Sequence, residues 1–108
     1  KIVRRFDAGS YVTLCRTMLS HDVGRDRGGV VQALKAVTAR TLVVAVDSDR
    51  LFFPEQVWQM ASGIPGAFYR EIHSDHGHDG FLIEHDQLTA LLNEFLNERI
   101  PSRASSFA

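Results

Sequence analysis

Residues 41–49 read TLVVAVDSD, and this stretch decides the fold. Thr41 to Val46 is an unbroken run of β-branched and aliphatic residues, closed sharply by Asp47, Ser48 and Asp49. A run of this length predicts a strand buried on both faces, the kind that lies in a parallel sheet covered by helices. Downstream, Pro54 stands where a helix begins, because a proline N–H is not needed in the first turn. The segment after it, EQVWQMASGIP, sets Val57, Met60 and Ala61 on one face and stops at Gly63 and Pro65. Trp58 and Met60 read as packing residues. Residues 67–72, AFYREI, form a second strand candidate, with Arg70 and Glu71 pointing to a place nearer the sheet edge. The loop HSDHGHDG (73–80) follows, and Phe81, Leu82 and Ile83 are expected to anchor it in the core. Leu88, Leu91, Leu92, Phe95 and Leu96 share one helical face, in a helix ended by Ile100 and Pro101.

Upstream of the deciding stretch, Val30, Ala33, Leu34 and Val37 fit a short helix, and His21 to Gly29 reads as a polar, glycine-rich loop. Residues 9–20 carry Tyr11, Leu14, Cys15 and Met18 on one face of a helix, with Ser10 as its N-cap and Cys15 as a core residue. Strands alternating with helices predict an α/β fold with parallel strands. A strand buried on both faces needs neighbours on both sides. The chain offers one other strand, so the sheet is expected to be incomplete.

The 108 residues are 44% hydrophobic and 23% charged, which excludes collagen-like, low-complexity and disordered chains and leaves room for one small domain. Twelve Lys and Arg against thirteen Asp and Glu give a net charge of −1, with no electrostatic case for nucleic acid or an anionic membrane. The single cysteine excludes an internal disulfide framework and fits a reducing, cytoplasmic setting. The apolar runs are too short to span a bilayer, and no segment has the form of a signal peptide. The chain opens at Lys1 rather than Met. Together with the incomplete sheet, this leads us to expect a truncated protein.

Two polar clusters follow the two strands, where α/β folds place their sites. The first is Asp47-Ser48-Asp49; the second holds His73, Asp75, His76, His78 and Asp79. An acid after one strand and a histidine after the next follow the late part of the Ser…Asp…His order of α/β-hydrolases, and His78 lies 29 residues beyond Asp49. In that chemistry the imidazole removes a nucleophile's proton while the carboxylate fixes its tautomer. Either acid can instead cap the following helix or fix a turn, and His78 can be a surface or structural histidine. Both acids leave the same strand and alternation points them to the same side, so spacing alone does not choose between them. His73, His76, His78 and His85 lie within 13 residues, yet no cysteine pair or H-E-x-x-H accompanies them, and no metal is expected. No nucleotide-phosphate loop motif is present.

At these residues the chain resembles a family. RRFDAGSYVTL (4–14), SHDVGRDRGGV (20–30), VDSDRLFFPEQ (46–56) and GHDGFLIE (77–84) are similar to the homoserine O-acetyltransferases, from about Arg4 to about Leu96. Close relatives that acylate serine, use succinyl-CoA or acetylate a deacetylcephalosporin fit the same motifs. The resemblance implies the C-terminal part of an α/β-hydrolase fold: residues 1–22 the end of a helical lid, 23–100 the core, 101–108 a disordered tail. It implies that Asp49 is the triad acid, His78 the triad base and Asp79 a ligand for the amino group of homoserine. It further implies acetyl-CoA and L-homoserine as substrates, no bound cofactor, a place in methionine biosynthesis, and a homodimer for the full-length protein. The chain lacks a G-x-S-x-G elbow, and Ser48 and Ser74 have neither its glycine frame nor its strand–turn–helix setting. The nucleophile is therefore expected outside this chain, and the chain alone is expected to be inactive. FFP stands where the family more often has one Phe or Tyr before Pro, and the histidine loop is richer in His than is usual. The competing reading is a non-catalytic segment that binds a partner through an open sheet edge.

Overall fold

A computed structural model of the chain describes residues 7–97. Contacts divide the chain into two compact units, residues 1–33 and residues 34–108.

The first unit holds helix α1, Ala8–Ser20. Its N-cap is Asp7 rather than the expected Ser10. The Asp7 backbone is extended, and its carboxylate accepts the Gly9 N–H at 2.8 Å and the Ser10 hydroxyl. A carboxylate satisfies the orphan donors of the first turn and suits the positive end of the helix dipole, so the cap lies three residues earlier. No residue of α1 is buried, and Cys15 is only half-buried. The expectation of a core cysteine is corrected for a simple reason: Tyr11, Leu14, Met18 and Leu19 on the same face are all exposed. The glycine-rich loop after α1 is a folded turn. The Gly24 N–H binds Asp22 Oδ1 at 2.9 Å, and a Cβ on Gly24 would come within 2.4 Å of the Gly29 backbone.

Helix α2, Val30–Lys35, crosses from the first unit into the second. In the second unit, β1 (Leu42–Val46) and β2 (Phe68–Ile72) pair in parallel, in register from Leu42 opposite Phe68 to Val46 opposite Ile72. Helix α3, Pro54–Gly63, connects them, with Pro54 in its first turn as expected. Val43, Ala45 and Tyr69 face α3 and bury against Ala61, while Val57 and Trp58 pack at the border. On the other face, Phe68 and Ile72 are buried, and helix α5 (His85–Leu96) lies against β2. Phe95 of α5 meets Phe68 edge to face at 5.7 Å, and the Arg40 guanidinium lies 4.0 Å from the Phe95 ring centre. Leu88, Leu91 and Phe95 are half-buried, whereas Leu92 and Leu96 of the same stripe are exposed. The expected helix end at Ile100 and Pro101 lies outside the described residues.

Burial of β1 on both faces is met only in part. Val43, Ala45 and Val46 are buried, but Leu42 and Val44 are half-buried. Among the described residues β1 has β2 as its one strand partner, and an apolar groove of about 620 Å³ borders it, lined by Leu42, Val44, Phe52, Met60 and Ile64. Met60, expected in the core, lines this groove and is exposed. No helix among the described residues is long and apolar enough to cross a membrane.

Candidate active site

The site begins where the parallel ladder ends. The Asp47 N–H still reaches the Ile72 carbonyl at 3.0 Å, and the Asp49 N–H then turns back to the Val46 carbonyl at 3.0 Å. The loop after β2 leaves from the same end of the sheet. Both polar clusters therefore sit at the carboxyl ends of adjacent parallel strands, the usual place for a site in an α/β sheet.

Asp49 and His78 are brought together: Asp49 Oδ2 lies 3.0 Å from His78 Nδ1. The other oxygen, Oδ1, accepts the N–H groups of Leu51 at 2.8 Å and Phe52 at 2.9 Å. Burial works against the charged form of Asp49. The Phe52 N–H, the His78 ring and the Leu51 N–H outweigh it, and its pKa lies below the ordinary carboxylate value. Asp49 thus fixes the turn with one oxygen and holds the imidazole with the other. It does not cap α3, whose N-cap is Phe53 with no side-chain bond.

His78 is the middle residue of a 3₁₀ turn, Gly77–Asp79. Phe52 and Phe81 approach its ring edge-on, with centres 5.1 Å and 6.0 Å away. With Nδ1 engaged by Asp49, Nε2 is the nitrogen left to exchange a proton, on a side chain that is 41% exposed and open to a reactant. Asp79 directly follows and is exposed. Phe81, Leu82 and Ile83 do not anchor this loop in the core; all three are exposed. The short helix α4, Gly80–Ile83, faces the sheet through its buried first residue instead. A Cβ on Gly80 would lie 2.8 Å from both Val46 Cγ1 and Ser74 Cβ.

Asp47 takes a different histidine. Its Oδ2 lies 2.8 Å from His73 Nδ1, and its Oδ1 accepts the Ser74 N–H at 3.0 Å. The hydrogen bond and charge of Asp47 raise the pKa of His73, and the same contact, with the Ser74 N–H, lowers that of Asp47. The amide of Gln87, on α5, binds both backbone groups of His73, accepting its N–H at 2.8 Å and donating to its carbonyl at 2.7 Å. The two acids that spacing left equivalent are separated by their partners: Asp47 holds His73, and Asp49 holds His78. Asp75, His76 and His85 are exposed, and among the described residues no group of three or more His, Cys, Asp or Glu could hold a metal ion.

Two serines that sequence reasoning weighed only as nucleophiles also belong to the site. The Ser48 hydroxyl accepts the Gly77 N–H at 3.0 Å and donates to the Ser74 carbonyl. Buried Ser74 accepts the His76 N–H on its Oγ at 3.1 Å. The Ser48 contacts have no short-range pattern, because their partners lie 26 and 29 residues away and meet Ser48 only through the register of β1 on β2, whereas the Ser74 contact is a local turn two residues long.

Fold and site together define an α/β segment that presents a carboxylate–imidazole pair at the carboxyl ends of two adjacent parallel strands. Curated proteins similar to this segment are homoserine O-acetyltransferases. The one from Thermobifida fusca is 57% identical over 97 residues, covering 89% of this chain and 26% of the relative. That from Thermus thermophilus is 52% identical over 97 residues, 89% of this chain and 25% of the relative. That from Chloroherpeton thalassium is 37% identical over 117 residues, 99% of this chain and 31% of the relative. The resemblance carried by the DSD and GHD motifs therefore extends over about nine-tenths of the chain, and the chain spans about a quarter of the length of the first two relatives. No protein-family model matches the chain.

Proposed function

We propose that this chain supplies the acid and the base of a Ser-His-Asp triad in an α/β-hydrolase-fold homoserine O-acetyltransferase. The observation that carries the reading is the 3.0 Å contact of Asp49 Oδ2 with His78 Nδ1. The relatives, named homoserine O-acetyltransferases, support transfer of an acetyl group to the hydroxyl of homoserine; acetyl-CoA as the donor is part of this proposal. A serine from another part of the polypeptide attacks the thioester carbonyl while His78 Nε2 takes its proton. The tetrahedral oxyanion collapses, the C–S bond breaks, and the proton passes from His78 to the CoA thiolate. Homoserine's hydroxyl then loses its proton to His78 and attacks the acetyl-serine ester. Collapse of the second oxyanion releases O-acetylhomoserine, and the serine oxygen recovers the proton. Asp49 stays ionised throughout and stabilises the imidazolium. Asp79, exposed beside His78, binds the ammonium of homoserine. We further propose a cytoplasmic homodimer serving methionine biosynthesis, with residues 1–22 the end of its helical lid region and residues 23–100 the C-terminal part of its core.

The test is acetyl-CoA-dependent acetylation of L-homoserine by the polypeptide that carries this segment, followed by thiol release. Asp79→Asn is expected to raise KM for homoserine at least tenfold while leaving formation of the acetyl-enzyme nearly unchanged. Equal losses in both half-reactions would sink the role of Asp79. No release of CoA by the unaltered enzyme would sink the transferase reading.

A further inference from the structure

We propose that Ser48 is a positioning residue for His78, a role that rests on the triad reading above. Ser48 stands between the two acids that follow β1, and its half-buried hydroxyl makes two bonds into the opposite loop. It accepts from the Gly77 N–H at 3.0 Å and donates to the Ser74 carbonyl. These partners lie on either side of Asp75 and His76, so one oxygen ties the two ends of the loop's reversal. Gly77 immediately precedes His78 and is left-handed, at φ 61°. That conformation suits glycine, whose backbone has the widest freedom to leave it. The bond from Ser48 therefore restrains the peptide next to the base, at a residue with no Cβ to limit its backbone.

The neighbouring side chains hold other points of the same loop. Asp47 fixes its entry, through His73 Nδ1 at 2.8 Å and the Ser74 N–H at 3.0 Å. Asp49 fixes the imidazole at 3.0 Å. Ser48 holds the backbone between those two points. Three consecutive residues thus set the entry, the peptide and the ring. Without Ser48 the Gly77 peptide can rotate and carry His78 away from Asp49, and a displacement near 1 Å at a reacting group costs about a hundredfold in rate.

The experiment uses the intact enzyme, with acetyl-CoA and p-nitrophenyl acetate as acyl donors and L-homoserine as acceptor. Ser48→Ala is expected to slow both half-reactions by roughly tenfold to a hundredfold, with KM values little changed. Ser48→Thr, which keeps the hydroxyl, is expected to restore most of the rate. The burst amplitude with p-nitrophenyl acetate counts competent sites, so a loss per competent site separates positioning from misfolding. A second readout is independent of turnover: the downfield proton resonance of the His78 Nδ1–H bond to Asp49. It is expected to persist in Ser48→Thr and to broaden or vanish in Ser48→Ala. Should the alanine variant not fold, the near-isosteric Ser48→Cys, a weaker hydrogen-bonding group, is read by the same measurements. Unaltered rate per competent site, or an unaltered resonance, overturns the proposal. An unsubstituted enzyme that does not acetylate homoserine overturns the transferase reading instead, and the resonance still decides the role of Ser48.

Discussion

On the triad proposed above, His78 divides its work between two nitrogens: Nδ1 lies 3.0 Å from Asp49 Oδ2, and Nε2 is left for the reaction. Asp49→Asn is the sharpest probe of that division. The amide oxygen can still accept from Leu51 and Phe52, which keeps the turn, while the amide nitrogen presents a donor where the ring needs an acceptor. In the intact enzyme this change is expected to lower kcat by roughly 10⁴-fold with little loss of folding stability. A fall in melting temperature that accounts for the lost activity would argue against it. The second pair, Asp47 with His73, predicts a pH dependence. The pKa of His73 is raised, so its contribution is fully present below its ordinary value of 6.5 and is lost as pH rises through the higher folded value. The pKa of Asp47 is lowered, so its contribution is present above its ordinary value of 3.8 and is lost as pH falls through the lower folded value. The pair therefore stabilises most between pH 3.8 and 6.5. The His73 side chain is 82% exposed, so added salt weakens the effect. The gap in melting temperature between the unsubstituted protein and His73→Gln should be widest in that window and narrow on both sides. A gap independent of pH would refute the assignment.

At the scale of elements, β2 carries the largest fully buried side chain among the described residues. Ile72 is fully buried and pairs with Val46 at the last rung of the ladder. Ile72→Ala is expected to cost about 2–5 kcal/mol of stability in urea unfolding, since the space left cannot collapse freely between strand and helix. Gly80→Ala is expected to cost about 1–3 kcal/mol, because its Cβ would stand 2.8 Å from Val46 and Ser74. A neutral result at Gly80 would mean that α4 can shift off the sheet. Both strands, α3 and α5 were legible in the sequence, because an apolar run and a 3.6-residue stripe are local signals. The start of α1 was not, since a serine inside the first turn looks like a cap until the aspartate three residues earlier is seen to accept its hydroxyl. The grip on the histidine loop was also hidden. Phe81, Leu82 and Ile83 have the composition of an anchor, yet Asp47, Ser48 and Gln87 do the holding through backbone groups that no side-chain pattern records.

At the scale of the whole molecule, the described residues leave apolar surface uncovered in both units. The groove of about 620 Å³ beside β1 and the exposed Tyr11, Leu14, Met18 and Leu19 of α1 are apolar surfaces of the kind that further protein covers. The sequence foretold the open flank of β1, because a run such as 41–46 asks for two neighbours, but not the exposed face of α1, where Cys15 was expected in the core. It could not tell which of two acids serves the base, since that depends on the register between strands. The 108-residue chain by itself is expected to release no CoA from acetyl-CoA in the presence of homoserine, and measurable turnover by it would show that the nucleophile lies within it. The parallel pairing of β1 with β2 has one more consequence. Both members of the dyad branch from a single strand–helix–strand stretch, so the gap between them is a local dimension, like two holes drilled in one plate. In the larger enzyme proposed above, errors of assembly elsewhere would shift the plate and accumulate in the gap from Nε2 to the serine, leaving the spacing of acid and base untouched.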